Sequence, residues 1–143
     1  MLKSLGPSDY GDVVQMLQFL REESPEYRYA KDDPAYVLMN MQALGGALFG
    51  VIDPGRGAMV GVLNRSWYSD RLEAVEQLLF VYPPYRGTSL AVRMVKMFED
   101  LAAELGAKVL GVGVTTGLNE ERTVGMYKRL GFRPKGHSLS KEL

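Results

Sequence analysis

The sequence predicts a mixed α/β domain, with a central mixed sheet of six or seven strands flanked by about four helices, occupying residues 1–143 as one unit. Three observations carry this. Segments with helical apolar spacing alternate with short β-rich runs. Asp53-Pro54-Gly55-Arg56-Gly57 has the composition of a hairpin loop between two such runs. The order strand, helix, strand over Leu72–Thr115 implies a right-handed crossover joining two parallel strands.

Met1 to Leu5 forms a short first strand that ends at Gly6-Pro7. Ser8 or Asp9 caps a helix over Tyr10 to Glu23, in which Val13, Met16, Leu17 and Leu20 share a face, and Pro25 stops it. Asp33 caps a second helix, which Pro34 opens and Gly45-Gly46 closes after Leu44. Ala47 to Ile52 and Ala58 to Trp67 are the hairpin strands, and Tyr68 to Arg71 turns the chain into a strand over Leu72 to Val81. Ser89 to Leu105 reads as a helix with an apolar face that includes Leu90, Met94, Val95 and Phe98, terminated by Gly106. Lys108 to Thr115 reads as a buried strand, Glu120 to Leu130 as the last helix stopped by Gly131, and Phe132 to Leu143 as one or two closing edge strands.

Composition narrows the function. A chain of 143 residues buries about 68–70% of its unfolded surface, enough for a substantial core. Seventeen basic and seventeen acidic residues cancel, leaving no electrostatic footprint for nucleic acid or an anionic membrane. Cysteine is absent, which removes disulfides, thiolate metal sites and a cysteine nucleophile, and the lone His137 argues against a histidine metal site. No apolar run approaches membrane-spanning length, so the expectation is a soluble, cytoplasmic protein.

Two segments carry chemistry. Val81 to Ala91 reads V-Y-P-P-Y-R-G-T-S-L-A, a strand end, two prolines, a basic glycine-bearing turn and a helix start. Free N–H groups at such a helix start, with the helix dipole behind them, suit a diphosphate. An ordinary strand-to-helix turn has the same composition, and a lone glycine motif is weak. The second segment, Met126 to Phe132, reads M-Y-K-R-L-G-F at the end of the last helix.

Together these segments make residues 72–132 resemble the core of the GNAT superfamily of N-acetyltransferases. The family's phosphate motif, R/Q-x-x-G-x-G/A, falls on Arg86-Gly87-Thr88-Ser89-Leu90-Ala91. Ser89 stands where glycine is usual, a departure shared with small phage-type and prophage-type members, and it is accommodated if its backbone stays helical. The N-terminal half matches the family in its order of elements. The resemblance implies acetyl-coenzyme A as co-substrate, no metal, and backbone amides of Arg86, Gly87, Thr88, Ser89, Leu90 and Ala91 around its diphosphate, with Arg86 adding positive charge. It implies a bulge that opens the sheet near Leu79, Phe80 and Val81, whose backbone groups would pair with pantetheine and polarise the thioester carbonyl. It implies that Tyr127 protonates the departing thiolate. Asn119 either contacts coenzyme A or caps the last helix.

An attacking amine must lose a proton, so a carboxylate or a water held by one is expected. Glu76 is the candidate, with Glu73 in reserve, and alternation would place Glu76 on one face with Leu78 and Phe80. The acceptor, an amine-bearing small molecule or a protein amine, would meet the loop Ser24–Asp33, the Trp67-Tyr68 turn and the C-terminal strands. Glu22, Glu23, Glu26, Asp32 and Asp33 could hold a cationic acceptor, or simply form a solvated helix end. Exposed edge strands make a homodimer possible. The alternative reading is a catalytically weak or inactive module that binds coenzyme A or a protein on the same scaffold.

Overall fold

The computed structural model describes residues 1–26 and 33–143. The elements run β1 (Lys3–Ser4), α1 (Tyr10–Glu23), α2 (Pro34–Leu44), β2 (Leu48–Asp53), β3 (Gly57–Arg65), β4 (Leu72–Val81), α3 (Leu90–Glu104), β5 (Val109–Gly111) and α4 (Glu120–Arg129). The strands lie in the order β1-β2-β3-β4-β5. The first four are antiparallel, and β5 joins parallel to β4 through the α3 crossover.

Local chemistry sets most of these bounds. Asp33 accepts a hydrogen bond from the Tyr36 amide at 3.1 Å, the N-cap of α2. At the β2–β3 turn Gly55 has φ +77°, and the Arg56 amide donates to the Asp53 carbonyl at 2.9 Å. Gly106, at φ +95°, lets the chain leave α3.

The sheet carries a core on each face. On one, Phe49, Val51, Met59 and Ala74 pack against Met94 and Phe98 of α3 and Tyr127 of α4. Phe98 is fully buried and stacks on Phe49 with centroids 4.6 Å apart, a burial that contributes about 1.5–3 kcal/mol. On the other, Val13 and Met16 of α1 and Met41 of α2 cover Ile52, Val60, Leu78 and Phe80.

The sheet has five strands among the described residues, not six or seven. Residues 133–143 form no ladder and are exposed throughout. Pro134 cannot donate to a ladder and Gly136 sits at φ +105°, which together interrupt any strand there. β5 is also shorter than the apolar run Lys108–Thr115 suggests. It pairs with β4 only at Glu73–Val109, Ala74–Leu110 and Val75–Gly111. Past those pairs the two parallel strands separate, and this opening positions the site.

Candidate active site

The separation has a local cause in β4. Val60 of β3 faces Leu78, but its neighbour Gly61 faces Glu76, so Gln77 is an extra residue in β4. This bulge lies at Gln77, earlier than the strand end where it was expected, and it reverses the alternation. A side chain at Gly61 would meet Phe98, so Gly61 and Glu76 opposite it face α3 and α4, whereas Leu78 and Phe80 face α1 and α2. Glu76 therefore does not share a face with Leu78 and Phe80, because the inserted residue shifts the register between them. Glu73, paired with Asn64 and Val109 inside the sheet, does not line the opening.

The opening is a cleft of about 530 Å³ between β4 and the 113–119 segment, roofed by α4 and closed on the far side by the end of α1. Its backbone edge follows from ladder parity. The Tyr82 amide donates to the Arg56 carbonyl at 2.8 Å, and Arg86 Nε donates to the Val81 carbonyl at 2.7 Å. Alternate residues of an antiparallel strand point their N–H and C=O to opposite sides. Tyr82 and Phe80 thus bond toward β3, and Leu79 and Val81 present theirs to the cleft.

At its narrow end the cleft brings Glu76 and Tyr127 together. Burial pushes the Glu76 carboxyl up to about 7, although the Gly113 amide donates a hydrogen bond to its ionised form. The Tyr127 phenol is raised above its ordinary value, first by burial and then by the negative charge of Glu76. Tyr127 is 3% exposed, and its hydroxyl is buried with no hydrogen-bond partner among the described residues. A buried, unpaired hydroxyl costs about 1–3 kcal/mol, so its presence calls for an account.

The string Tyr127-Lys128-Arg129-Leu130-Gly131-Phe132 explains how Tyr127 is held. The Phe132 amide donates to the Tyr127 carbonyl at 3.0 Å and the Gly131 amide to the Lys128 carbonyl at 3.1 Å. With Gly131 at φ +96°, this is a Schellman motif. Its apolar contact is Phe132 on the Tyr127 ring, with centroids 5.1 Å apart. Gly131→Ala is expected to cost about 1–2 kcal/mol through the left-handed backbone, measured by chemical denaturation; an unchanged midpoint would refute the motif's contribution.

At the wide end lies the turn before α3. Gly87 has φ +80°, and a Cβ built on it would stand 3.4 Å from Arg122 Nη2. Ser89 keeps φ −76°, ψ 0°, so serine is accommodated without strain. The first helical bond of α3 runs from the Arg93 amide to the Ser89 carbonyl, which leaves the Leu90, Ala91 and Val92 amides without intrahelical acceptors. Leu90's meets Thr88 Oγ1 at 3.3 Å. Gly87, Thr88 and Ala91 line the cleft, whereas Ser89 and the core side chain of Leu90 lie behind it.

Two expectations change here. The Arg86 side chain points away from the turn: it pairs in two-pronged fashion with Glu23 at the end of α1, its Nη1 3.1 Å from Glu23 Oε2, and its amide donates to Pro83. The bidentate carboxylate and the Val81 carbonyl outcompete a solvated position. Asn119 lines the cleft but does not cap α4 with its side chain; it sits at φ +49°, and Glu120 instead accepts from the Gly117 amide at 3.0 Å. Two cleft-lining cations of α4 were not singled out from the sequence: Arg122, beside the turn at Gly87, and Arg129. With Met126 they fall at i, i+4 and i+7, one stripe of the helix, which was the available signal.

Ser24, fully buried, donates to the Thr116 carbonyl and ties the end of α1 across the cleft. Asp32, Tyr27 and Tyr29 lie outside the described residues. Trp67 and Tyr68 are exposed and line no part of the cleft. Among the described residues there is no cluster of histidine and carboxylates suited to a metal, and no helix long and apolar enough to cross a membrane.

Solved structures share this fold. An aminoglycoside acetyltransferase from an uncultured soil metagenomic sample superposes with a TM-score of 0.75 at 18% identity, covering 100% of this chain and 97% of that one. A ribosomal-protein-alanine N-acetyltransferase from Brucella melitensis biovar Abortus 2308 gives 0.76 at 14% identity, covering 100% and 99%. A second soil metagenomic aminoglycoside acetyltransferase, in complex with sisomicin, gives 0.77 at 9% identity, covering 100% and 94%. No curated protein sequence matches the chain. The model of the acetyltransferase (GNAT) family matches residues 14–132, and the chain belongs to that family.

Proposed function

We propose that the protein is an N-acetyltransferase that moves an acetyl group from acetyl-coenzyme A to a primary amine while both are bound. The observation that carries this reading is the pair at the narrow end of the cleft. Glu76 and Tyr127 face one space where β4 leaves β5, and the Tyr127 hydroxyl is buried there without a partner. Family membership supports an acyl transfer and the fold supports the placement of the cleft.

The residues fit acetyl-coenzyme A at three points: the unpaired Tyr127 hydroxyl, the backbone edge at Leu79 and the Val81 amide (the Val81 carbonyl being taken by Arg86), and the turn where Gly87 leaves room beside Arg122. Bound acetyl-coenzyme A would supply an activated acetyl thioester whose sulfur departs. The amides of Gly87 to Ala91, with Arg122, would hold the diphosphate through the helix start. The Leu79 amide would polarise the thioester carbonyl; one such donor is worth about 3–4 kcal/mol of barrier. Glu76, with a pKa near neutrality, accepts the amine's proton as the nitrogen attacks. Tyr127, held neutral by its raised pKa, donates its proton to the sulfur. The absence of cysteine agrees with direct transfer rather than a cysteine-bound acyl group.

The test is a thermal shift with acetyl-coenzyme A, followed by thiol release in the presence of amines. Ligand at about 100 times its dissociation constant raises stability by about 2.7 kcal/mol. No shift at millimolar ligand would refute the proposal. Tyr127→Phe is expected to lower turnover roughly 10- to 100-fold, with acetyl-coenzyme A affinity within about twofold. It should also stabilise the ligand-free protein by about 1 kcal/mol, because a buried unpaired hydroxyl is removed. Unchanged turnover would refute the proton-donor role.

A further inference from the structure

A second cavity, of about 180 Å³, lies beneath α1 and α2 on the other face of the sheet. Leu17, Gln77 and Leu78 line both this cavity and the main cleft, so the two adjoin at the β4 bulge, beside Glu76. The remaining walls are Val13, Met41, Leu44, Leu48, Val60 and Val62, all apolar. Val13, Met41 and Val60 are buried, and Leu44, 45% exposed, forms the rim.

We infer that this cavity is the acceptor's side-chain pocket, and that the acceptor is a monoamine bearing an aryl or branched alkyl substituent. The inference rests on the acetyl-transfer reading. The amine nitrogen sits on the cleft side of the bulge, within reach of Glu76, and the apolar substituent fills the cavity. Size fits the assignment, since an apolar cavity of about 150 Å³ takes benzene. Charge fits it as well. Among the described residues the carboxylates lining the cleft are Glu23 and Glu76. Glu23 is neutralised by Arg86, and Glu76 is assigned to proton transfer. Among the described residues the cleft lining thus leaves no carboxylate for the second and third ammonium groups of a polyamine or other polycation, and burying an unpaired charge is costly.

The experiment measures thiol release from acetyl-coenzyme A with 2-phenylethylamine, ethylamine and spermidine, on the native protein and two variants. Filling the cavity with a phenyl group should give 2-phenylethylamine at least about a tenfold higher kcat/KM than ethylamine. Spermidine should do no better than ethylamine. Val60→Phe fills the cavity from its floor, and Leu44→Trp obstructs its rim. Either should reduce the phenyl preference below about threefold. If Val60→Phe does not fold, Leu44→Trp, at a partly exposed position, carries the test. Equal kcat/KM for the two small amines, a spermidine preference, or a phenyl preference that survives both variants would overturn the pocket. So would a thermal shift with acetyl-coenzyme A accompanied by acetylation of none of the amines. Absence of any thermal shift would instead overturn the acetyl-transfer reading, and the pocket with it.

Discussion

Replacing Glu76 by glutamine should lower amine acetylation by roughly 10²- to 10⁴-fold, the range of a positioned general base, while making the protein more stable at pH 8. The two effects share one cause. Burial raises the Glu76 pKa from 4.5 to about 7, so the fold holds its proton more tightly than the unfolded chain does. The stabilising contribution of that proton is complete below about pH 4.5 and is lost as pH rises through 7. Above that, a buried carboxylate is carried at a cost of about 3 kcal/mol. Glutamine has nearly the same shape and can still accept the Gly113 amide, yet carries no charge. Its melting temperature should exceed the native protein's by about 5–10 °C at pH 8 and match it near pH 4.5. Activity supplies the independent readout. In the native protein kcat/KM should climb with pH through about 7 and then level, and in Glu76→Gln that limb should vanish. A variant that keeps the limb would assign the base to another group; a variant no more stable at pH 8 would mean that Glu76 is better solvated than its position implies.

What could be read from the sequence was what depends on neighbours in the chain. Asp33-Pro34 marked the start of α2, Pro25 the end of α1, and Leu130-Gly131-Phe132 the motif that fixes Tyr127, because caps and turns are settled within a few residues. The strand-helix-strand unit was legible for the same reason. What failed depended on distant partners. Gln77 becomes a bulge only because Gly61, sixteen positions away in numbering, faces Glu76, and nothing local distinguishes it. Arg86 was expected at the diphosphate, but its partner Glu23 is 63 residues away. The closing strands failed because a strand is defined by pairing, and β5 offers its neighbour only three residues. Arg122 was not singled out because only the folded chain places it beside the turn at Gly87.

The same turn gives the second large effect. Gly87→Glu should weaken acetyl-coenzyme A binding at least 100-fold, about 2.7 kcal/mol. Three causes act together. A side chain at φ +80° is strained, by about 1–2 kcal/mol, and relief would turn the following amides away from the helix start. The new carboxylate would stand where a diphosphate carries its own negative charge. It would also sit beside Arg122, whose Nη2 is 3.4 Å from the Cβ position, and pair with the guanidinium proposed to face the ligand. Gly87→Ala shares only the strain and should cost tenfold or less. Acetyl-pantetheine, which has the thioester but no diphosphate, separates binding at the turn from damage to the catalytic end. Both variants should use it as well as the native protein does, because Glu76, Tyr127 and the Leu79 edge lie at the opposite end of the cleft. Equal losses for the two thioesters would mean that the substitution disrupts the whole cleft, and undiminished acetyl-coenzyme A affinity would remove the turn from the binding site.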